Sequence, residues 1–136
     1  MVKIPSGERR SDCPLSIALE VFGDRWTLLI LRDLMLKGLS SFKQFEQSGE
    51  GIASNILADR LKRLQAQDIV SCARSPSDAR ALVYRPTEKG LELLPVLFEM
   101  VLWAARHERT AAPPALLHRM REDRETLLAE LRSRFS

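Results

Sequence analysis

At 136 residues, 45% hydrophobic and 29% charged, the chain has the balance of one folded domain rather than a disordered segment. Its net charge of +3 is too small by itself to mark a nucleic-acid binder, and no apolar run approaches the roughly 18 residues of a membrane span. Two cysteines do not suggest a disulfide framework, and the polar start MVKIPSGERRSDC lacks an apolar signal core, which implies a cytoplasmic protein.

Residues 1–12 read as a flexible polar arm. Pro14 suits a first helical position, so Cys13 is the expected N-cap of a helix running to about Val21, with Leu15, Ala18, Leu19 and Phe22 on its apolar face. Gly23 breaks that helix, and Asp24 caps a second one from Arg25 to about Lys37, closed by Gly38. This second helix is apolar nearly all round (Trp26, Leu28, Leu29, Ile30, Leu31, Leu34, Met35, Leu36) and should be the buried centre. Ser41 and Gln44 form a capping box for a short helix with Phe42 and Phe45 turned inward, and Ser48–Gly51 is a turn.

The next stretch, Gly51–Gln67, organises the rest. Ile52, Ile56, Leu57, Leu61 and Leu64 recur at helical steps and form one stripe. With Leu57, Leu61 and Leu64 buried, Asn55, Asp59, Lys62 and Ala66 fall on the far side, flanked by Ala58 and Arg63, with Ser54 at the helix start. Asp68 ends the helix. Ile69–Arg74 and Ala81–Arg85 read as two strands around an Arg-bearing turn, Ser75–Arg80, which is a wing. Short helix, turn, longer helix and wing together predict a winged helix-turn-helix.

Thr87 should cap a long apolar helix through Leu91, Leu94, Leu97, Phe98, Val101 and Leu102, kinked at Pro95. After a break at Ala111–Pro114, Ala115–Phe135 reads as one amphipathic helix. A monomer of this size has little core left for both stripes, so a homodimer is expected, with Leu15, Leu19, Phe98, Leu102 and Leu128 as interface candidates. The predicted fold class is mainly α with a small β-wing and helical dimerisation elements at both ends. Residues 13–107 form the DNA-binding domain with its dimerisation helices, and 108–136 a C-terminal amphipathic helix extension.

Charge supports the wing and its helix as the working face. From Ser54 to Arg85 six cations face three anions, whereas the rest of the chain balances fifteen against fifteen. In a major groove, Ser54, Asn55, Ala58 and Asp59 would lie nearest the bases. An Asn pairs bidentately with adenine, and an Ala methyl meets a thymine methyl. Lys62 and Arg63, a turn later, would hold phosphates. Arg60 lies between the two faces and either joins them or braces the fold. At the wing, Arg80 would enter the minor groove beside Ser77, or else pair with Asp78. Ser40, Ser41 and Lys43 would contact phosphates at the start of the short helix.

Cys13, at a helix N-cap with Arg9 and Arg10 nearby, is a candidate redox-sensing thiol, or an inert cap near the dimer interface; Cys72 reads as a buried strand residue. His107 and His118 have no ligand spacing with either cysteine, so neither metal nor cofactor is expected. The chain has no phosphate loop, nucleophile elbow or glycine-rich fingerprint, and does not read as an enzyme.

The chain resembles the HxlR family of bacterial regulators. The resemblance is carried by Cys13-Pro14, the run Gly23–Leu34, Phe42 with Phe45, Gly51-Ile52, Asn55–Leu64, Tyr84, Thr87–Gly90 and Leu93–Leu97. It implies a MarR-like winged helix-turn-helix, a homodimer and binding to an inverted-repeat operator on double-stranded DNA, with a small-molecule inducer or a thiol change as the regulating signal. Some relatives with a cysteine at the position of Cys13 sense oxidants or electrophiles. Ala53 stands where many members carry a serine cap, and the wing reads Ser77-Asp78-Ala79-Arg80 in place of paired prolines. An Asp-x-Arg wing is similar to that of MarR proteins, whose Arg enters the minor groove. The competing expectation is a winged-helix module that binds proteins without DNA, for which the segment Ala115–Phe135 is the best support.

Overall fold

A computed structural model describes residues 9–136, and residues 1–8 of the predicted arm lie outside the described residues. The elements are α1 (Pro14–Phe22), α2 (Arg25–Met35), α3 (Phe42–Glu46), α4 (Ser54–Ala66), β1 (Val70–Arg74), β2 (Leu82–Pro86), α5 (Glu88–Leu91), α6 (Leu94–His107), α7 (Pro114–Glu122) and α8 (Arg124–Ser133). The result is the expected mainly helical chain with one two-stranded wing. Two compact units divide after Gly90. Among the described residues, no helix is long and apolar enough to cross a membrane.

In the first unit α2 is the central rod. Asp24 caps it by accepting from the Thr27 amide at 3.1 Å and from the Thr27 hydroxyl. Ile30, Leu31, Leu34 and Met35 are fully buried, and α2 packs on α4 through the α4 stripe Leu57, Leu61 and Leu64. The predicted capping box of α3 is present: Gln44 N–H donates to the Ser41 hydroxyl, and the Gln44 side chain accepts from the Ser41 amide. Phe45 is buried edge-on to Tyr84, with ring centroids 6.0 Å apart.

After α4, Asp68 adopts a left-handed conformation (φ 58°), and Ile69 N–H reaches back to the Leu64 carbonyl at 2.9 Å. That closure turns the chain into β1; an Asp tolerates the conformation better than most residues. β1 and β2 are antiparallel in the register Val70 with Pro86, Cys72 with Tyr84 and Arg74 with Leu82. The wing root is tied to the helices by Tyr84 N–H, which donates to the Ser40 carbonyl at 2.8 Å. Thr87 caps the turn into α5, accepting from Gly90 N–H at 3.1 Å. A Cβ at Gly90 would collide with the Ile69 carbonyl, so that close approach requires glycine.

In the second unit two expectations are corrected. The predicted kinked helix is two helices, broken at Glu92–Leu93. Pro95 sits at the start of α6, where its missing N–H has no helical partner to lose. The predicted single C-terminal helix is also two, separated by Asp123 at φ −132°, ψ 34°. Folding back there buries Met120, Leu127 and Leu131, so that stripe is covered within the chain. Arg119 clasps the corner, donating to Asp123 at 3.1 Å and to both Glu130 oxygens at 2.8 and 2.9 Å.

The interface candidates change accordingly. Phe98 and Leu102 are 0% and 2% exposed and Leu128 is half-buried, so the first two have no surface to offer a partner. Leu15 and Leu19 on α1 are open at 69% and 57%; in the second unit, Met100 and Trp103 on α6 are open as well.

Candidate nucleic-acid interface

The α4 surface opposite the leucine stripe carries every side chain expected there. Ser54, Asn55, Ala58, Asp59, Lys62 and Arg63 are all exposed. Ala53 is the N-cap without a side-chain bond, so Ser54 opens the helix. Gly51 (φ 75°) turns the chain into this helix with Ile52 buried beneath it.

Two polar anchors hold α4 against α2. Arg60 Nε donates to Asp24 at 3.0 Å, and another guanidinium nitrogen lies 2.6 Å from Asp59. Its side chain is 18% exposed, so Arg60 braces the fold. Burial pushes the Asp24 carboxyl up, but hydrogen bonds from Thr27 and Arg60 outweigh it and hold its pKa below the ordinary value. The second anchor is Glu50, in the turn before α4, which accepts from Arg25 at 3.1 Å and Arg32 at 3.0 Å. Its bond from Arg32 lowers its pKa. Arg32 also donates to Asp33, a nearly buried carboxylate. Sequence reading missed Glu50, Arg25 and Arg32 as positioning residues, because a pair 18 or 25 positions apart leaves no periodic signal.

Asp59 lies where an anion would repel phosphate, but it is flanked by Arg60 and by Arg63 Nε at 3.1 Å. The Arg63 bond uses one donor of five, which leaves the terminal nitrogens for a phosphate.

On the wing, the Arg80 side chain is 95% exposed, with Nε 3.8 Å from Asp78, while the Arg80 amide donates to Asp78 at 3.0 Å. Asp78 therefore shapes the turn while Arg80 projects from it. Arg74 closes the loop by donating to the Ala79 carbonyl at 2.7 Å. Ser77 is exposed, and its hydroxyl pairs with that of Ser75 at 3.0 Å.

At α3 the amides of Ser40 and Ser41 are both bonded to Gln44 Oε1, at 2.9 and 3.1 Å. A phosphate there would meet the serine hydroxyls and the exposed Lys43 ammonium, not those two amides. Cys13 is the exposed N-cap of α1 and its thiol makes no capping bond. Cys72 is half-buried on β1 opposite Tyr84, whose pKa is raised by burial and by that thiol.

A buried stripe on one side of a helix, exposed polar and basic side chains on the other and an arginine-tipped hairpin beside it define a winged helix-turn-helix. The HxlR-like helix-turn-helix family profile matches residues 21–112, and the chain belongs to that family of transcriptional regulators. It is 37% identical over 93 residues to the HTH-type transcriptional regulator YodB of Bacillus subtilis, covering 68% of this chain and 82% of YodB. Among solved structures it is similar to the redox regulator HypR in its oxidised form (25% identity, TM-score 0.64, 72% of this chain and all of HypR). It is also similar to quinone-bound YodB (34% identity, TM-score 0.55, 69% of this chain and 98% of that one). The related proteins are regulators, not enzymes.

The Asp24 anchor makes a pH-dependent prediction. A carboxyl whose folded pKa is depressed stabilises the fold above its unfolded value and loses that contribution as pH falls through the folded value. Asp24→Ala should cost about 1–2 kcal/mol at pH 7, the scale of a lost N-cap. Urea titrations should show the gap from the parent closing below about pH 4. A gap that stays constant into acid would mean that the ionised carboxylate contributes nothing.

Proposed function

We propose that the protein is a homodimeric regulator that binds an inverted-repeat operator and represses or activates transcription in the bacterial cytoplasm. The observation that carries this reading is the exposed α4 face, backed by buried leucines and flanked by the wing arginine. Ser54, Asn55, Ala58 and Asp59 read base edges in the major groove, and Lys62 and Arg63 hold phosphates. Ser40, Ser41 and Lys43 contact the backbone further along, and Arg80 with Ser77 meets the minor groove. In a dimer the two α4 helices sit about one DNA turn, ~34 Å, or a multiple of it apart. Residues 13–107 carry this activity, and 108–136 extend it.

The open apolar side chains Leu15 and Leu19 on α1, and Met100 and Trp103 on α6, support dimerisation. The exposed thiol of Cys13 supports a response to electrophiles or oxidants, as do the quinone-bound form of YodB and the oxidised form of HypR.

The purified protein should bind the DNA upstream of its own gene with sequence preference at low salt, measured by gel shift or fluorescence anisotropy. Arg80→Ala should weaken binding to all sequences and shallow the salt dependence by about one phosphate contact. Asn55→Ala should also relax preference at one base pair by about 1–3 kcal/mol. An Asn55→Ala protein with affinity and preference intact would refute the orientation of α4.

Leu19→Glu should convert the dimer to a monomer in sedimentation analysis without loss of helical circular dichroism; a dimer that persists would remove α1 from the interface. For the thiol, intact mass after benzoquinone treatment should show one adduct that disappears in Cys13→Ser, with DNA affinity changed only in the parent. An adduct confined to Cys72 would refute the assignment.

A further inference from the structure

The wing loop that presents Arg80 is closed from within. The Ser75 amide donates to the Ala81 carbonyl at 2.8 Å and the Ala81 amide to the Asp78 carbonyl at 3.0 Å, while the Ser77 amide donates to Ser75 Oγ at 3.3 Å. The peptide unit that joins Ala79 to Arg80 is held at both of its polar ends. Its N–H, on Arg80, donates to Asp78 Oδ1 at 3.0 Å, and its carbonyl, on Ala79, accepts from Arg74 Nη1 at 2.7 Å. A peptide unit is planar, so bonds on its two opposite edges stop it from rotating about the chain and fix the direction in which Arg80 leaves the loop. The two anchors differ in kind. Asp78 belongs to the loop and moves with it, whereas Arg74 is the last residue of β1 and pairs with Leu82 in the ladder. Arg74 therefore ties the tip to the sheet, while the Arg80 side chain itself stays 95% exposed.

From this we infer that Arg74 is a positioning residue that gives the wing its sequence preference by holding Arg80, without itself reading a base. The inference rests on the minor-groove role proposed above for Arg80. A-tracts have a narrow minor groove whose enhanced negative potential attracts arginine, so an arginine aimed into the groove distinguishes narrow from wide. A guanidinium on a loose loop swings to whichever phosphate is nearest, and a phosphate carries no sequence information. Holding the Ala79–Arg80 peptide thus converts a charge that would bind any duplex into one that selects groove width. Loss of Arg74 should therefore cost discrimination between sequences, where loss of a phosphate ligand would cost affinity for all of them.

The test uses the full-length protein and the DNA upstream of its gene. Hydroxyl-radical footprints of the parent and of Arg80→Ala locate the base pairs under the wing, which are then set to a run of A·T or of G·C pairs in otherwise identical duplexes. The parent should favour the A·T duplex by about fivefold or more, and Arg80→Ala should not discriminate. Arg74→Met keeps the stem and removes the donors. It should hold its affinity for the G·C duplex within about twofold, with an unchanged salt slope, and lose most of the preference. In the Arg80→Ala background it should change the preference no further. Ala79→Gly loosens the same peptide without removing a charge and should lower the preference in the same direction, which covers the case of a wing that unfolds in Arg74→Met. In the free protein, the ¹⁵N NOE of Arg80 and Ala81 should fall in Arg74→Met while the Tyr84 amide, bonded to the Ser40 carbonyl, keeps its shift. Equal losses on both duplexes, with the salt dependence shallower by about one contact, would make Arg74 a phosphate ligand and overturn the inference. So would a preference that vanishes in Arg80→Ala but survives in Arg74→Met and Ala79→Gly. A parent that neither discriminates nor differs in footprint from Arg80→Ala would refute the minor-groove role of Arg80, and the specificity role of Arg74 with it.

Discussion

The geometry of this molecule depends on how α4 is held against α2. Three buried leucines on α4 supply the adhesion, about 2 kcal/mol each by the usual scale for burying such a side chain. Apolar contact is non-directional, so by itself it leaves α4 free to roll or slide over α2 by a few degrees or a fraction of a turn. A reading helix tolerates neither, because a hydrogen bond to a base edge depends on both distance and angle. The polar anchors supply the missing direction. Arg60 on Asp24 fixes the middle of α4 to the start of α2, and Glu50 between Arg25 and Arg32 fixes the approach to its N-terminus. Partly exposed ion pairs add little to stability, because solvent screens them and two long side chains must be held in one geometry. Their role here is orientation, with the leucines providing the strength.

The same anchors settle a charge problem. An aspartate on a DNA-reading face is repelled by phosphate unless it is neutralised, and Asp59 has an arginine on either side. Arg60 therefore serves two carboxylates, one that positions the helix and one on the face proposed to meet DNA. Asp24 has a matching double role, as the cap of α2 and the anchor of α4. Losing either residue disturbs a helix end and the exposed face of α4 together.

Much of this was legible in the sequence because it is local. Cap residues, the 3.6-residue stripe of α4 and two short strands around a turn are set by neighbours a few positions apart, and the structure has them where expected. The exposed positions of α4 followed from the stripe alone. What was not legible depends on partners distant in sequence or on a competition between local signals. Glu50 gave no hint of Arg25 or Arg32. The amphipathic pattern of Ala115–Phe135 continues through Asp123, so periodicity predicted one rod; folding back buries Met120, Leu127 and Leu131, which the rod would leave open. Phe98 and Leu102 looked like interface residues for the same reason, since a stripe does not say whether its cover comes from the same chain or another.

With those side chains accounted for, the apolar surface that remains is narrow. Leu15 and Leu19 are one helical turn apart on α1, and Met100 and Trp103 lie on one face of α6 with Val96 a turn earlier, half-exposed. A standard interface takes about 800 Å² from each partner, roughly 20–30 residues a side, and two open leucines on one short helix are few against that. A contact centred on α1 in the proposed dimer would therefore be narrow. A narrow contact would give Cys13 leverage. It caps α1 two residues before Leu15, and a group added to its sulfur would enter the edge of a contact with little area to spare. In a broad, deeply buried interface such an addition at the rim would be absorbed. In a narrow one it would change how the subunits meet, and with them the spacing of the two α4 helices.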